Sequence, residues 1–274
     1  MKKSFKCLLL AVETLSAFFP LLAIKNPAHA QDLVKITVVG DSTDRIWEVV
    51  QENLGDKVQV ELVTMTDPVQ ANQALVSGEV DLAAFQHYAA LAQYNEDNGT
   101  EITPITETFI SPMNILSNQI DSIDELKEGD TILIPESPTN RGRALKVLED
   151  AGLITIDAEA GDSPEIKDIT DNPLKLEIEE VDQAFIMTAL PDAAAGLTVA
   201  NNVIDAGVDP VDDAIYTIEI DPSNEDLKPY FNLITTLPDR VDDPTFEAII
   251  TAYHQDNVKN HIKEEYNNGM IPVW

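Results

Sequence analysis

Residues 34–39 read VKITVV, a β-branched run that ends at Gly40. Such a run predicts a buried strand. Residues 46–54 have the apolar spacing of an amphipathic helix, and residues 58–63 form a second β-rich run. Because strand and helix patterns alternate in this order, the sequence predicts a doubly wound, mostly parallel sheet with right-handed crossovers.

The same alternation continues along the chain. Helix patterns cover residues 68–76 and about 86–98, with a short strand at 80–82 between them, and the extended segment 102–117 leads into a second unit. That unit has a strand at 131–134 and a helix at 139–151, followed by strands at 174–180 and 193–198. A further strand follows at 230–236. Two helices, 244–254 and 258–266, close the chain, and Asp243 is the expected N-cap of the first of them, with Pro244 at N1.

Two α/β units joined by extended segments predict two lobes with a ligand cleft between them. The predicted boundaries are 31–117 for the first part of lobe 1, 118–222 for lobe 2 and 223–274 for the segment that returns to lobe 1. The fold class is therefore α/β.

The first thirty residues have the pattern of a secretory signal peptide. Lys2, Lys3 and Lys6 form a basic region, residues 7–24 are mostly apolar, and residues 28–30 read AHA, a small-x-small cleavage site. An uncleaved membrane anchor stays open as the alternative. We expect export to the outer side of the cytoplasmic membrane, in a periplasm or at a cell surface. The chain's one cysteine, Cys7, lies inside this segment, so no cysteine stands at the cleavage site to carry a lipid.

Composition limits the partners. The chain has 49 acidic and 17 basic residues, a formal net charge of −32, which disfavours contact with a nucleic-acid backbone. Without its first thirty residues it has no thiol to act as a nucleophile or metal ligand. The sequence has no nucleophile elbow and no metal-ligand spacing, so it predicts a binding protein rather than an enzyme, with no cofactor and no metal. We also expect a monomer.

Residues 135–145, PESPTNRGRAL, follow a predicted strand and open a helix. Thr139 or Asn140 is the expected N-cap, and the free amides of a first helical turn attract anions. Arg143 is unexpected there, because a cation is disfavoured at a helix N-terminus. It could bind a ligand carboxylate with both arms of its guanidinium. The alternative is an ordinary ion pair with one of the many surface acids.

Residues 84–88, AFQHY, lie at another strand-to-helix junction. Phe85, His87 and Tyr88 could wall an apolar pocket to which His87 adds one hydrogen bond. The alternative is that this His and its aromatic neighbours serve packing alone.

These two segments, taken with other blocks in order along the chain, resemble the NlpA-type lipoproteins, the MetQ-like methionine-binding proteins of ABC importers. The further blocks are residues 40–42 with Trp47, 66–75, 78–81, 112–113, 151–153 and 167–169. The resemblance implies a periplasmic-binding-protein type 2 fold, capture of methionine or a related small amino acid, and its delivery to an ABC permease. It also implies that Arg143, supported by Asn140, binds the ligand carboxylate.

By the same resemblance Phe85 and His87 line the side-chain pocket and Met113 lies near the lobe crossover. Asn72, which belongs to a matching block, and Met113 are also expected among the ligand-binding residues, whereas Tyr88 joins the predicted pocket only through its neighbours.

Three recognition positions depart from the family pattern. Pro68 and Ala90 stand where the family has aromatic residues, and Val199 stands where it has an asparagine that helps to hold the ligand, with Asn201 as the nearest replacement. The identity of the ligand side chain therefore stays open. The alternative function is that of a degenerate family member acting as a cell-surface interaction or adhesion protein without amino-acid transport.

Overall fold

A computed structural model of the protein describes residues 32–161 and 163–274. The predicted signal segment, residues 1–30, lies outside the described residues. Within them, no helix is both long enough and apolar enough to cross a membrane.

The regular elements follow the alternation predicted from sequence. The strands, in chain order, are β1 (Asp32–Val39), β2 (Val58–Met65), β3 (Leu82–Ala83), β4 (Thr103–Ile110), β5 (Met113–Leu116), β6 (Thr131–Pro135), β7 (Thr155–Ile156), β8 (Ile169–Asp171), β9 (Glu177–Val181), β10 (Ala195–Val199), β11 (Ala214–Tyr216), β12 (Phe231–Thr236) and β13 (Ile271–Pro272). The helices are α1 (Asp44–Leu54), α2 (Pro68–Ser77), α3 (Tyr88–Asn98), α4 (Pro138–Asp150), α5 (Ile186–Ala189), α6 (Ala200–Asp205), α7 (Pro244–Tyr253) and α8 (Asp256–Glu265).

The first lobe is built on a mixed sheet with the order β13-β4-β12-β3-β1-β2. Strand β1 runs parallel to β2 and β3, as the β-α-β-α pattern predicts. Strands β4, β12 and β13 pair antiparallel, because the chain leaves this lobe after β4 and returns to it at β12. On one face Ile36, Ile46 and Phe246 are almost fully buried. Burial of each such side chain contributes about 1.5–3 kcal/mol.

The second lobe is built on a sheet with the order β11-β5-β10-β6-β9. Strand β6 is parallel to β9 and β10, and α4 packs its apolar face on this sheet through Leu145 and Leu148. Strand β5 pairs antiparallel with β10, although the sequence assigned it to lobe 1. The local sequence of a four-residue strand that follows an extended segment does not indicate which sheet the strand joins. We therefore propose that the chain crosses between the lobes at Ser111–Pro112 rather than at 117–118.

Helix caps were predicted with mixed success. Asp243 caps α7, accepting the amide of Thr245 at 2.9 Å. The prediction of Thr139 or Asn140 as the cap of α4 was wrong, because the cap is Ser137 and Pro138 occupies N1. Proline lacks an N–H and has the φ of a helix, so it is favoured at the first helical position, and the helix begins earlier than predicted.

These elements form the two-lobed α/β fold that the sequence predicts. The segments after β1, β3, β6 and β10 all reach one cleft, at the carboxyl ends of the strands. Open α/β sheets bind ligands at this end.

Candidate functional site

The cleft between the lobes encloses a cavity of about 270 Å³. Both lobes contribute to its wall, since it receives the turn before α3 from lobe 1 and the first turn of α4 from lobe 2. Six predicted site residues line it: Asn72, Phe85, His87, Asn140, Arg143 and Asn201.

Arg143 lies in the second turn of α4 and is only 4% exposed. Its Nη2 donates to the carbonyl oxygen of Ser111 at 2.6 Å, and its guanidinium carbon stands 4.6 Å from the centre of the Tyr230 ring. Within residues 32–161 and 163–274, no carboxylate forms an ion pair with Arg143. The alternative of an ordinary surface ion pair therefore has no support in this part of the chain.

The neighbouring Arg141 has that ordinary role. It lies 3.4 Å from a carboxylate oxygen of Glu180 and 3.9 Å from one of Glu165, and it does not line the cleft. Two arginines of one helical turn thus differ in function, because their side chains leave the helix in different directions.

Burial gives Arg143 a charge that an anion in the cleft could neutralise. Desolvation lowers the pKa of its guanidinium to about 10, partly opposed by Tyr230, so it remains charged at neutral pH. A buried charge without a counter-ion is costly, and an anion that enters the cleft removes that cost. The planar guanidinium on a tyrosine ring is pre-oriented for a carboxylate.

The beginning of α4 adds donors beside Arg143. Ser137, Thr139 and Asn140 all line the cleft, and the amides of a first turn have no partner within their own helix. Ser137 Oγ is buried and, in the described part of the chain, has no hydrogen-bond partner. A helix N-terminus with an unpaired hydroxyl favours a bound carboxylate.

His87 has a defined tautomer. Its Nδ1 accepts the amide N–H of Ala90 at 3.1 Å, so His87 is the N-cap of α3 and its proton lies on Nε2. Nε2 is 3.2 Å from Oδ1 of Asn140, to which it donates. Burial first, and then the charge of Arg143, lower the pKa of His87 to about 4. The ring is therefore neutral above pH 5 and adds no charge beside Arg143.

Asn140 connects groups from three segments. Besides accepting from His87, its Nδ2 donates to Oε1 of Gln183 at 2.8 Å. Gln183 follows β9 and lines the cleft, although nothing in the local sequence singled it out. Asn140 therefore has part of its hydrogen-bonding capacity satisfied within the protein.

Part of the opposite wall is apolar. Phe85, Pro68 and Ala90 form it, and a buried pair that also lines the cleft holds the β3–α3 turn against α2. In this pair the side-chain amides of Asn72 and Gln86 exchange two hydrogen bonds, of 2.9 and 2.8 Å. The geometry favours a structural contribution from Asn72, because both ends of its amide are already paired.

The structure places two predicted residues elsewhere. Tyr88 does not line the cleft, because its hydroxyl donates to Glu107 on β4 at 2.9 Å. Met113 is fully buried in the core of lobe 2 and does not reach the cavity either. Tyr88 is the first residue of α3, and its side chain leaves that helix toward the sheet rather than toward the ligand.

Asn201 and Asn202 stand at the start of α6, after Val199. Nδ2 of Asn201 donates to Oγ of Ser42 in the other lobe at 3.2 Å, and its Oδ1 accepts the hydroxyl of Ser111. Asn202, which the sequence did not suggest, donates to Thr198 Oγ1 at 2.8 Å and to the carbonyl of Gln183 at 3.1 Å. Both asparagines therefore line the cleft while their side-chain amides are hydrogen-bonded to other residues of the protein.

A family model described as NlpA lipoprotein matches residues 34–274. The chain belongs to the NlpA lipoprotein family. It is 33% identical over 254 residues to the D-methionine-binding lipoprotein MetQ of Escherichia coli strain K12, an alignment that covers 91% of this chain and 90% of that protein. The resemblance stated from the sequence is confirmed.

Solved structures of similar proteins agree with this NlpA fold. The nutrient-binding protein from Burkholderia cenocepacia bound to methionine is 31% identical with a TM-score of 0.81, covering 88% of this chain and all of that one. The substrate-binding protein of a methionine transporter from Streptococcus pneumoniae is also 31% identical with a TM-score of 0.81, covering 88% and 96%. The architecture is therefore the two-lobed periplasmic-binding-protein fold.

Proposed function

We propose that this NlpA protein is the extracytoplasmic receptor of an ABC importer. In this proposal it binds methionine or a related small amino acid and delivers it to the permease. The observation that carries the proposal is the Arg143 guanidinium, which is buried in the interlobe cleft without a carboxylate partner among the described residues.

The ligand carboxylate would bind the guanidinium with two parallel hydrogen bonds and meet the first-turn amides of α4. Asn140 and neutral His87 would orient the guanidinium and the first-turn amides. The ligand side chain would lie against Phe85, Pro68 and Ala90. The lobes would close on the ligand because the closed form brings these groups together and excludes water.

The relatives support this assignment. Two are named as methionine-binding or bound to methionine, and one belongs to a transporter. None of these names describes an enzyme. The predicted signal segment and the lipoprotein names of the relatives support a place outside the cytoplasmic membrane.

A screen of free amino acids by thermal unfolding tests the proposal, together with mass spectrometry of any ligand that copurifies. At ligand near 100 times Kd we expect a stabilisation of about 2.7 kcal/mol. Arg143→Ala should abolish it, whereas the matched control Arg45→Ala, at an exposed arginine paired with Glu48, should not. Stabilisation that persists in Arg143→Ala, or none with any amino acid, would contradict the proposal. Binding of a surface partner unaffected by Arg143→Ala would favour the adhesion alternative.

A further inference from the structure

Helix α6 of lobe 2 touches lobe 1 at three successive points. Asn201 donates to Ser42, Ile204 packs against the core of lobe 1, and Asp205 lies against Gly40. The contact with Gly40 is close, because a Cβ added there would stand 2.0 Å from Oδ2 of Asp205. Gly40 has a φ of +74°, so the turn after β1 depends on glycine for both its conformation and this contact.

The carboxyl group of Asp205 also meets polar groups of lobe 1. It lies over the turn at Gly40, beside the backbone amides of Asp41 and Ser42 and the carboxyl group of Asp41. Two carboxyl groups in contact favour a state with one shared proton, since both cannot ionise without repulsion.

We propose that α6 is a clasp that holds the two lobes together for ligand capture, with Asn201 and Asp205 as positioning residues, and that the Asp41–Asp205 pair couples closure to proton uptake. This inference rests on the proposed function only for its ligand. It assigns Asn201 to the lobe contact rather than to the ligand.

The direction of the pH effect follows from the contacts. Partial burial, and then the hydrogen bond with Asp41, raise the pKa of Asp205 to about 6. A carboxyl group whose pKa is raised by closure favours the closed form below that pKa, and this advantage is lost as the pH rises through 6. Both side chains keep part of their surface in contact with solvent, so solvent screening limits the size of the effect.

Other charged groups near the clasp do not reverse this direction. The adjoining cavity between α1, α6 and α8 is lined by Asp44, Arg45, Glu48, Asp209, Glu265 and Tyr266. Its cation, Arg45, is paired with Glu48 at 3.2 Å. The remaining acids add negative charge, which makes ionisation of the pair less favourable.

The clasp can be tested without any ligand. Exposed cysteines at Val76→Cys in lobe 1 and Asp192→Cys in lobe 2 accept a fluorophore pair that reports the distance between the lobes by energy transfer. We expect transfer to be higher at pH 5.5 than at pH 7.5. Asp205→Asn, whose amide donates to Asp41 without a shared proton, should remain closed at both pH values. Asp205→Ala and Asn201→Ala should lower transfer at both, and the charge-matched control Glu179→Gln on β9 should behave as the unsubstituted protein.

Calorimetry with methionine supplies the second readout. The unsubstituted protein should bind up to about fourfold more tightly at pH 5.5 than at pH 7.5, and Asp205→Asn should lose this dependence. Absence of methionine binding at either pH would count against the proposed function, while the fluorescence experiment still decides on the clasp. Equal transfer in the unsubstituted protein, Asp205→Ala and Asn201→Ala would overturn the clasp. Identical pH profiles for the unsubstituted protein and Asp205→Asn would overturn the proton coupling.

Discussion

Nε2 of His87 donates to Oδ1 of Asn140 at 3.2 Å, and this hydrogen bond joins lobe 1 to lobe 2 beside Arg143. The cap of α3 and the first turn of α4 thus meet directly. Because His87 also accepts the amide of Ala90, its ring has one tautomer and one orientation. The hydrogen-bonded pair of His87 and Asn140, with one residue from each lobe, is therefore a polar group of fixed orientation at the cleft.

The neutral state of His87 should be visible in the stability of the protein. Its pKa is about 4 in the folded protein against 6.5 as the ordinary value, so between these the unfolded chain binds a proton that the folded chain does not. Stability is therefore full above pH 6.5 and falls as the pH drops toward 4, by at most about 1.4 kcal/mol per pH unit.

His87→Asn isolates this contribution, because asparagine can still cap α3 but does not titrate. We expect the free energy of unfolding of the unsubstituted protein, relative to that of the variant, to fall by about 2 kcal/mol from pH 7 to pH 4.5. Urea titrations of both proteins at the two pH values measure it. A constant difference between them would show that His87 takes up its proton at the same pH in the folded protein as in the unfolded chain.

Arg143→Lys tests whether the geometry of the guanidinium matters beyond its charge. Lysine keeps a positive charge but loses the two parallel hydrogen bonds and the stacking on Tyr230. Loss of one charge-assisted hydrogen bond costs about 1.5–3 kcal/mol, so Kd for the amino acid should rise about 10- to 100-fold. Calorimetry measures the change, and Arg141→Lys is the control within the same helical turn. A Kd unchanged by Arg143→Lys would argue against carboxylate binding by this residue.

The fold was largely predictable because local patterns determine it. Apolar runs and alternating elements identified β1, α1, β2 and α4 with few errors, since each has a strong period and a clear stop such as Gly40. Arg143 was singled out for the opposite reason, because a cation near a helix N-terminus contradicts the local rule, although in the structure it lies in the second turn of α4. The short β5 pairs with β10 of the second sheet, although the sequence placed it in lobe 1. Its partner residues lie 80 or more positions away, so no local pattern connects them.

The rest of the site depends on long-range contacts. Ser111 reaches Arg143 across 32 positions, Gln183 reaches Asn140 across 43, and Tyr230 lies far beyond both. No local spacing connects such residues. Tyr88 was misplaced for a related reason, because its neighbours in sequence, Phe85 and His87, line the cleft while its own side chain turns to β4.

Ala90→Phe should narrow the cleft at its apolar wall. Ala90 lines the cavity where the family has an aromatic residue, so the larger side chain would cover more of an apolar ligand. Burying about 40–60 Å² of additional apolar surface is worth about 1–1.5 kcal/mol, which predicts a Kd for methionine about 5- to 10-fold lower. Calorimetry with free methionine and with free alanine as ligands separates contact with the ligand side chain from other changes in affinity, since alanine has little side chain to cover. Equal changes for both ligands would show that the substitution acts elsewhere.

Tyr88→Phe tests the boundary of the site. The Tyr88 hydroxyl donates to Glu107 at 2.9 Å, on the side of α3 away from the cavity, and desolvation first and this bond next raise the phenol pKa to about 12. Removing the hydroxyl should lower the free energy of unfolding by about 0.5–1.5 kcal/mol, the net contribution of one hydrogen bond. The Kd for the amino acid should not change, because the cavity wall is unaltered. Phe85→Ala, three residues earlier and lining the cavity, is the contrasting variant and should raise Kd. A Tyr88→Phe protein with normal stability and weakened binding would place Tyr88 in the ligand site after all, and would mean that α3 rotates when the lobes close.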